Sequence, residues 1–527
     1  MNRAPHHHAP IRTIYNRPRL SFAIAFFSGA VSALAFEPAG IWPLMLFAFA
    51  QLFAVLHHAH SMKRALLFGW LFGLGQFVVG LNWIATAFTY QSAMPAWLGW
   101  IAVVLLSLYL AIYPALATGV AWRMARGHPL GMVLVLAGVW ALTEWLRASL
   151  FTGFAWNPIG VTAVPTPILH LSALLGTYGL SSVVILLSAA VWLDFYKRWL
   201  PIAFIVGAIF LLWLMPLTVV PESNLTMKPV RVVQPDIGQQ DKWKPGFSDV
   251  AARRLAALSI QPGGARPRLL FWPEAAVTEP LQDQRAEPYS AFAAFERQRA
   301  AAVVGPGEYL LTGGIAVSSA DGRRVTGAAN SIYVIGQGGA VVGRYDKAHL
   351  VPYGEYLPMR PVLSAIGLSR LAPGDVDFVP GPGPRTVTLP NWGKVGFQLC
   401  YEIIFSGQVV DREDRPNFIF NPSNDAWFGS WGPPQHLAQA RLRAAEEGLP
   451  VIRSTPTGIS AVIDARGKVV QSLGWHKAGV IDAVLPADAA RPTPFALFGN
   501  LIPILVALGL MAGGIVLARR HRYRHGT

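Results

Sequence analysis

The sequence contains almost no cysteine: Cys400 is the only one in 527 residues. A lone cysteine cannot close a disulfide within its own chain, so a fold held together by disulfides is excluded. Free cysteines are often inert core residues, and composition alone leaves that interpretation open. The alternative is a reactive thiol, because Cys400 lies in the segment 395–404, where an apolar predicted strand is followed by an acidic turn.

Charged residues are also scarce, at 13% of the chain, whereas an ordinary soluble protein carries about 25%. Hydrophobic residues make up 53% and the mean hydropathy is +0.40, so a large part of the chain must face lipid. The apolar residues are concentrated in 20–220 and 494–518, whereas 221–491 has the composition of a soluble domain. Stretches approaching the roughly 20 residues that cross a bilayer predict spans at 20–36, 41–56, 65–88, 96–122, 130–147, 168–193, 199–220 and 494–518.

Acidic residues are fewer than basic ones, 28 against 43, which gives a net charge of +15. The basic residues cluster in every second connection between predicted spans and in the tails 1–19 and 519–527. The positive-inside rule therefore predicts that both tails are cytoplasmic and that 221–491 lies on the opposite side of the membrane. Because much of the excess charge follows from this topology, we expect no nucleic-acid partner.

Patterns that bind metals or cofactors are missing as well. The histidines at 6–8 have no partner ligands at metal spacing, so we interpret them as part of a solvated tail. No phosphate-cradling or dinucleotide-binding motif is evident. We therefore expect neither a metal nor a soluble cofactor.

The segment 221–491 alternates short β-rich runs with helical stretches. This alternation predicts a layered α/β domain, and its length is sufficient for one buried core. The predicted helices are 284–302 and 435–448, and the predicted strands are 230–234, 268–272, 309–312, 331–335, 394–399, 417–420, 459–463 and 479–482.

Three residue types suited to covalent catalysis lie at the ends of predicted strands. Glu274 closes the Trp-Pro-Glu of 272–274, Lys347 lies in 344–349, and Cys400 ends its own strand. A thiol, a carboxylate and an amine supply a nucleophile, a base and a cationic stabiliser. For Glu274 or Lys347 taken singly, a surface ion pair is the alternative. The three together indicate a cysteine enzyme.

Motifs of one known family extend over nearly the whole chain, at 139–147, 152–156, 347–355, 424–429, 435–437 and 441–446. With Glu274, Lys347 and Cys400 in that chain order, the sequence resembles the nitrilase superfamily, and within it the apolipoprotein N-acyltransferase family. The resemblance implies a polytopic α-helical membrane bundle of about eight spans that carries an α/β domain, a nitrilase-like αββα sandwich. The sequence departs from the family pattern at 235–236, where Pro-Asp replaces the usual Gly-Asn, and at Pro456, where asparagine is common.

The same resemblance implies a reaction. Cys400 attacks an ester carbonyl of a membrane phospholipid and forms a thioester. The α-amine of the N-terminal diacylglyceryl-cysteine of an apolipoprotein then accepts the acyl chain as an amide. Glu274 would take the thiol proton, and Lys347 would stabilise the thiolate and then the oxyanion, with the backbone N–H of Tyr401 as a second donor.

The resemblance implies supporting residues too. Glu355 matches a glutamate that holds or charge-balances the lysine, and Glu402 matches another essential acidic position. Trp243 resembles a family tryptophan near the substrate site. Solvation or turn capping is the alternative role for the two glutamates.

An apolar segment follows these motifs inside the soluble domain. We predict that 357–371 is a lid resting on the membrane interface, which moves aside to admit acyl chains. A buried core helix is the alternative. The apolar lid residues that we expect to meet substrate are Leu363, Ile366 and Leu368.

The resemblance also implies partners and location: a phospholipid donor, a diacylglyceryl apolipoprotein acceptor, and a monomer in the bacterial inner membrane with its catalytic domain in the periplasm. Two other interpretations stay open. A membrane-tethered amidase would pass the acyl group to water, and a non-catalytic lipid-binding protein would form no thioester.

Overall fold

The computed structural model describes residues 15, 17–90, 95–194, 199–214, 225–242, 244–365 and 376–525. The chain divides into two compact units. The first comprises Met1–Asn82, Trp100–Thr218 and Leu497–Thr527, and the second comprises Trp83–Gly99 and Val219–Ala496. The short segment Trp83–Gly99 therefore belongs with the second unit, although apolar helices precede and follow it in the sequence. The domain boundaries expected from the sequence stay predictions.

The first unit is helical. Among the described residues, six helical stretches are long and apolar enough to cross a membrane, and Pro43–His57 is a shorter apolar helix. Each of the eight predicted spans contains a helix, which confirms a polytopic membrane bundle. In chain order the helices up to residue 214 are α1 (Pro18–Ser32), α2 (Pro43–His57), α3 (Met62–Gly80), α4 (Ile84–Ala87), α5 (Leu98–Leu110), α6 (Ile112–Ala125), α7 (Pro129–Ser149), α8 (Ser172–Asp194) and α9 (Trp199–Leu214).

Glycines allow helices of this unit to meet backbone to backbone. A Cβ on Gly29 of α1 would lie 1.9 Å from the carbonyl oxygen of Phe72 in α3. A Cβ on Gly138 of α7 would lie 2.4 Å from the carbonyl oxygen of Ala507, which belongs to the C-terminal helix Leu501–His525. Close approach through small residues is how helices associate in lipid, where burying apolar surface gives no advantage.

Glu144 of α7 is a buried carboxylate inside this bundle. It accepts hydrogen bonds from Ser181 Oγ at 2.5 Å, from the backbone N–H of Ile159 at 2.8 Å and from Trp140 Nε1 at 3.1 Å. An unsatisfied carboxylate is costly in hydrocarbon, so these donors explain how the bundle holds it.

The second unit contains two β-sheets. The strands of the first sheet are β1 (Leu225–Gln234), β2 (Leu269–Phe271), β3 (Pro280–Asp283), β4 (Tyr309–Ser318), β5 (Gly327–Ile335), β6 (Val341–Asp346) and β13 (Gly479–Pro486). Those of the second sheet are β7 (Thr386–Leu389), β8 (Gly393–Phe397), β9 (Phe418–Pro422), β10 (Val451–Ser454), β11 (Ser460–Ile463) and β12 (Val469–Leu473). The spatial orders are β13-β1-β2-β4-β5-β6, with β3 beside β4, and β12-β11-β10-β9-β8-β7. The centre of each sheet is parallel, through β1-β2-β4 and through β8-β9-β10.

The two sheets face each other through apolar side chains and a few polar contacts. The ring centroids of Phe271 in β2 and Phe420 in β9 are 5.0 Å apart, and Ser454 Oγ donates to the carbonyl oxygen of Val233 at 2.9 Å. Every predicted strand of this domain overlaps an observed one.

Helices cover both outer faces of this sandwich. The helices of the second unit after β1 are α10 (Gln239–Lys242), α11 (Phe247–Ile260), α12 (Tyr289–Ala301), α13 (Arg360–Ala365) and α14 (Gly432–Glu447), and α15 (Pro494–Phe498) precedes α16 (Leu501–His525). Leu255 of α11 and Ala300 of α12 share a buried core with Leu270 and Leu310 of the first sheet. On the other side α14 contacts β10 of the second sheet. This arrangement confirms the predicted αββα sandwich.

Candidate active site

Cys400 lies where β8 has ended and the 3-10 helix Cys400–Ile404 begins. Its side chain is buried, with 5% exposed. Its backbone φ of +52° is in the left-handed region, which residues other than glycine seldom adopt. Strained conformations of this kind persist only where neighbouring groups hold them, and they are concentrated at functional sites.

The environment of Cys400 favours the protonated thiol. Burial, followed by the charge of Glu274, raises the pKa of Cys400 well above its ordinary value, whereas the charge of Lys347 and the backbone N–H of Asn424 act to lower it. A thiol is a weak nucleophile, so nucleophilic attack by this cysteine would require a base that takes its proton.

Glu274 follows β2 by three residues, at the carboxyl end of that parallel strand. A glycine on β4 lets this turn approach closely, because a Cβ on Gly313 would lie 2.7 Å from the Cα of Glu274. The carboxylate Oε1 accepts from Asn330 Nδ2 at 2.9 Å. The other oxygen, Oε2, is buried and has no hydrogen-bond partner within the described part of the chain. A buried acceptor left unpaired is unusual, and this one is suited to receive a proton.

Lys347 directly follows β6 and is buried, with 1% exposed. Its Nζ lies 3.0 Å from Glu355 Oε1 and 2.9 Å from Oε2. Burial alone would lower the pKa of Lys347, but the charges of Glu355, Glu274 and Cys400 outweigh it and raise the pKa above its ordinary value. The ammonium group is therefore permanently charged at neutral pH and suited to stabilise an anion.

Glu355 fixes Lys347 and is itself fixed. Its Oε2 accepts from the backbone N–H of Val351 at 2.9 Å, and its Oε1 accepts from Asn330 Nδ2, also at 2.9 Å. Asn330 thus bridges Glu355 and Glu274 with one amide group. The supporting role of Glu355 stays a prediction.

Glu402 joins the lysine loop to the cysteine turn. Its Oε1 accepts from the backbone N–H groups of Ala348 at 2.7 Å and His349 at 3.0 Å, and from the hydroxyl of Tyr345 at 2.8 Å. Its Oε2 accepts from the backbone N–H of Leu399 at 2.7 Å. Because these donors flank Lys347 and Cys400 in the sequence, one carboxylate sets the spacing of the two segments.

Tyr401 is buried beside this turn. Its ring packs edge-on against Phe405, with centroids 5.2 Å apart, and contacts His349 at 5.9 Å. These contacts hold the backbone that follows Cys400. The role of its N–H as an oxyanion donor stays a prediction.

The remaining predicted site residues are described only in part. Trp243, Ile366 and Leu368 lie outside the described residues. Leu363 is half-buried on the short helix α13, where Val362 is 62% exposed. The described part of the predicted lid therefore begins at the buried Leu357 and continues into a short helix without buried residues, and its movement stays a prediction.

Sequence analysis missed two buried polar residues beside the triad. Asn330 lies beside Ser331 in the otherwise apolar strand β5, and a polar pair inside an apolar strand was the available signal. Lys242 is buried, with 5% exposed, and its Nζ donates to the carbonyl oxygen of Glu274 at 3.3 Å. Burial lowers the pKa of Lys242 to about 8, although the charges of Glu274 and Cys400 oppose that shift. Nothing in its polar sequence surroundings distinguished this lysine from a solvated one.

Two residues that depart from the family pattern, Pro235 and Pro456, lie near Glu274. Pro235 and Pro456 line one small cavity together with Lys242 and Glu274. The backbone N–H of Ile237 bonds the carbonyl oxygen of Pro456 at 3.2 Å. The unusual residues therefore shape the wall behind the carboxylate.

Comparison with known proteins gives matches to both units. The model of the apolipoprotein N-acyltransferase N-terminal domain matches residues 28–190, and that of the carbon-nitrogen hydrolase domain matches residues 230–495. Proteins named apolipoprotein N-acyltransferase align over almost the full chain. That of Rhodopseudomonas palustris is 35% identical, with 94% of this chain and 95% of the relative covered. That of Caulobacter vibrioides is also 35% identical, with 95% of each covered.

Among solved structures, Nit3 of Saccharomyces cerevisiae, a member of branch 10 of the nitrilase superfamily, matches with 18% identity and a TM-score of 0.36. The match covers 51% of this chain and 92% of that one.

Proposed function

The chain belongs to the apolipoprotein N-acyltransferase family, and from this premise we propose that it transfers a fatty acyl chain from a membrane phospholipid to an apolipoprotein. The acyl chain first forms a thioester on Cys400. It then moves to the α-amine of the diacylglyceryl-cysteine at the N-terminus of the apolipoprotein. The observation that carries the proposal concerns Glu274, whose buried Oε2 has no hydrogen-bond partner among the described residues. The charges of Glu274 and Lys347 both act on the buried thiol of Cys400.

In the first half-reaction, Glu274 Oε2 takes the proton of Cys400 while Sγ attacks the ester carbonyl carbon of the phospholipid. A C–S bond forms, and the carbonyl oxygen becomes an oxyanion that the Lys347 ammonium stabilises, with the N–H of Tyr401 as a second donor. The C–O bond of the ester then breaks. The leaving alkoxide takes the proton from Glu274 and departs as a lysophospholipid, so the enzyme holds a thioester.

In the second half-reaction, the neutral α-amine of the acceptor attacks the thioester carbonyl carbon. Glu274 takes a proton from the attacking nitrogen, and Lys347 again stabilises the oxyanion. The C–S bond breaks, an amide is released, and Sγ regains the proton from Glu274. The charged lysine is useful in both steps because it never has to donate its proton.

Both substrates are anchored in a bilayer, and the helical unit supports the same location for the enzyme. We infer a multi-pass protein of the bacterial inner membrane, with the sandwich domain in the periplasm and both termini in the cytoplasm. The alternation of connections that carry Lys or Arg with connections that carry neither supports that orientation. One chain carries every side chain of the proposed site, which supports action as a monomer.

The alternatives differ in the fate of the acyl group. An amidase of the same architecture would pass it to water, whereas a lipid-binding protein would not form a thioester. A transfer assay separates them: the purified protein is incubated with a phospholipid that carries a labelled acyl chain and with a diacylglyceryl lipopeptide. We expect label on the lipopeptide α-amine and none on a matched lipopeptide whose amine is acetylated.

Release of labelled free fatty acid at the same rate with and without lipopeptide would instead identify a hydrolase. If label neither moves to lipopeptide nor is released, the proposal fails in favour of lipid binding.

A further inference from the structure

The left-handed backbone of Cys400 requires a partner that holds it. The N–H of Leu399, directly before Cys400, donates to the Glu402 carboxylate. The carbonyl group of Cys400 itself contacts another element. His436 of α14 is fully buried, and its Nε2 lies 3.0 Å from that carbonyl oxygen. A carbonyl oxygen only accepts hydrogen bonds, so Nε2 must carry the hydrogen.

The opposite side of the imidazole fixes which nitrogen is protonated. Nδ1 lies 3.0 Å from Asp425 Oδ1 and 3.0 Å from Arg453 Nη2. Arg453 Nη2 in turn lies 2.7 Å from both carboxylate oxygens of Asp425. Burial, and then the charge of Arg453, lower the pKa of His436, whereas the carboxylate of Asp425 acts to raise it. In this arrangement Arg453 donates to Nδ1, and the hydrogen stays on Nε2.

The loop that carries Asp425 also acts on the thiol. The backbone N–H of Asn424 acts to lower the pKa of the Cys400 thiol. One buried network therefore acts on Cys400 at two points, on the thiol through Asn424 and on the carbonyl oxygen through His436. Asp425 connects the two points, because it follows Asn424 directly and contacts the imidazole.

The loop is also clamped by the segment Trp83–Gly99 of the same unit. The ring of Phe428 lies between His436, at 5.6 Å, and Trp83, at 4.7 Å, with edge-to-face geometry at both. Gly429 sits so close to Thr86 that a Cβ there would be 2.7 Å from its Oγ1. Close packing on this side leaves the imidazole little freedom to turn away from Cys400.

We propose that His436 is a positioning residue whose Nε2–H holds the carbonyl oxygen of Cys400 and so keeps the nucleophile in the left-handed conformation from which Sγ reaches Glu274. Asp425 and Arg453 orient the ring, and Phe428 supports its face. This inference rests on the proposed role of Cys400 as the acylated nucleophile.

Paired substitutions of His436 separate the effect of its hydrogen-bond donor from the effect of its ring packing. In H436Q the amide nitrogen reaches approximately the position of Nε2 and retains a donor, although the ring is lost. In H436F the ring and its contact with Phe428 are retained, but the donor is lost. H436N keeps an amide that is too short to reach the oxygen of Cys400, so it serves in place of H436F if that variant is unstable.

The measurement is the single-turnover rate at which full-length protein gains an acyl group from phospholipid, followed by intact mass at several donor concentrations. We expect H436F and H436N to acylate about 10- to 100-fold more slowly at saturating donor, since a buried carbonyl is left without its donor. H436Q should stay within about fivefold of the wild type. The donor concentration at half-maximal rate should not change, because lipid contacts are untouched.

Each other outcome has a defined meaning. If H436F acylates as fast as the wild type, or if H436N equals H436Q, the proposal is wrong. A slow H436Q beside a fast H436F would assign the ring a packing role only. H476F is the matched control, because His476 also faces a carboxylate, that of Asp236 at 3.3 Å, but is exposed. If the wild type itself gains no acyl group, the proposed function fails, whatever the role of His436.

Discussion

Glu402 offers a sharp test of how the site is assembled, through the substitution E402Q. The change keeps the shape of the side chain but replaces one carboxylate oxygen with an NH2 group. All four of its partners are donors: the N–H groups of Ala348, His349 and Leu399, and the hydroxyl of Tyr345. An amide has a single acceptor oxygen, so at least one donor of the protein must face the new NH2.

The less costly orientation keeps the amide oxygen on the side with three donors and turns the NH2 toward Leu399. The hydrogen bond from Leu399 to a charged acceptor is then lost, at about 1.5–3 kcal/mol, and buried donors are left unpaired, at about 1–3 kcal/mol. The sum is roughly 2.5–6 kcal/mol. Because Leu399 immediately precedes Cys400, we expect this cost to appear as displacement of the cysteine turn from the lysine loop.

Y345F is the matched control, because it removes one donor from the same carboxylate without leaving a buried donor unpaired and should cost only about 1.5–3 kcal/mol. Thermal unfolding of the purified proteins in detergent and the rate of Cys400 acylation are measured together at neutral pH. We expect both quantities to fall in the order wild type, Y345F, E402Q. An E402Q protein as stable and as rapidly acylated as Y345F would refute the bracing role of Glu402.

Three further predictions concern other parts of the molecule. The pKa of Lys242 in the folded protein is about 8, so between pH 8 and the ordinary lysine pKa the unfolded chain binds more protons than the folded one. The stability of the wild type relative to K242M should therefore rise from pH 8 to 10, by up to roughly 3 kcal/mol. A difference in unfolding midpoints that stays constant across that range would contradict the low pKa of Lys242. For the predicted lid, serine at Leu363, Ile366 and Leu368 together should slow acylation by bilayer phospholipid much more than by a short-chain soluble ester, whereas equal losses with reduced stability would indicate a core segment. For topology, a reporter active only outside the cytoplasm should work when fused after Pro221 and fail after Lys63, Arg126 or Arg519, and activity at any of those three basic sites would overturn the orientation.

Much of the fold was predictable because its signals are local and strong. The apolar runs that cross lipid need no knowledge of their neighbours, and each predicted span contains a helix. The short apolar runs before Glu274 and Cys400 likewise predicted β2 and β8, so the positions of these residues after strands followed from the pattern, whereas the parallel pairing of those strands did not. The sequence analysis missed five strands, β3, β6, β7, β10 and β12. Three of them, β3, β7 and β10, have four residues each, too few for an alternation to be recognised.

The rest of the site depends on contacts between distant parts of the chain. Asn330 bridges Glu274 and Glu355, which lie 56 and 25 residues away, and no local pattern encodes such a bridge. The same holds for His436, whose partner is a backbone carbonyl 36 residues away. Hydropathy also could not predict that Trp83–Gly99 belongs with the second unit, because its apolar residues resemble those of the spans on either side.

The central claim is that acyl transfer passes through a thioester on Cys400, and intact mass tests it most directly. Purified full-length protein is incubated with phospholipid in the absence of acceptor, and the mass is compared before and after treatment with neutral hydroxylamine, which cleaves thioesters. C400S and E274Q serve as matched variants, the first without the thiol and the second without the base. We predict a mass gain of one acyl chain on the wild type, located at Cys400, removed by hydroxylamine, and missing from both variants. An adduct of the same mass on C400S, or transfer to lipopeptide at the wild-type rate by that variant, would contradict the account.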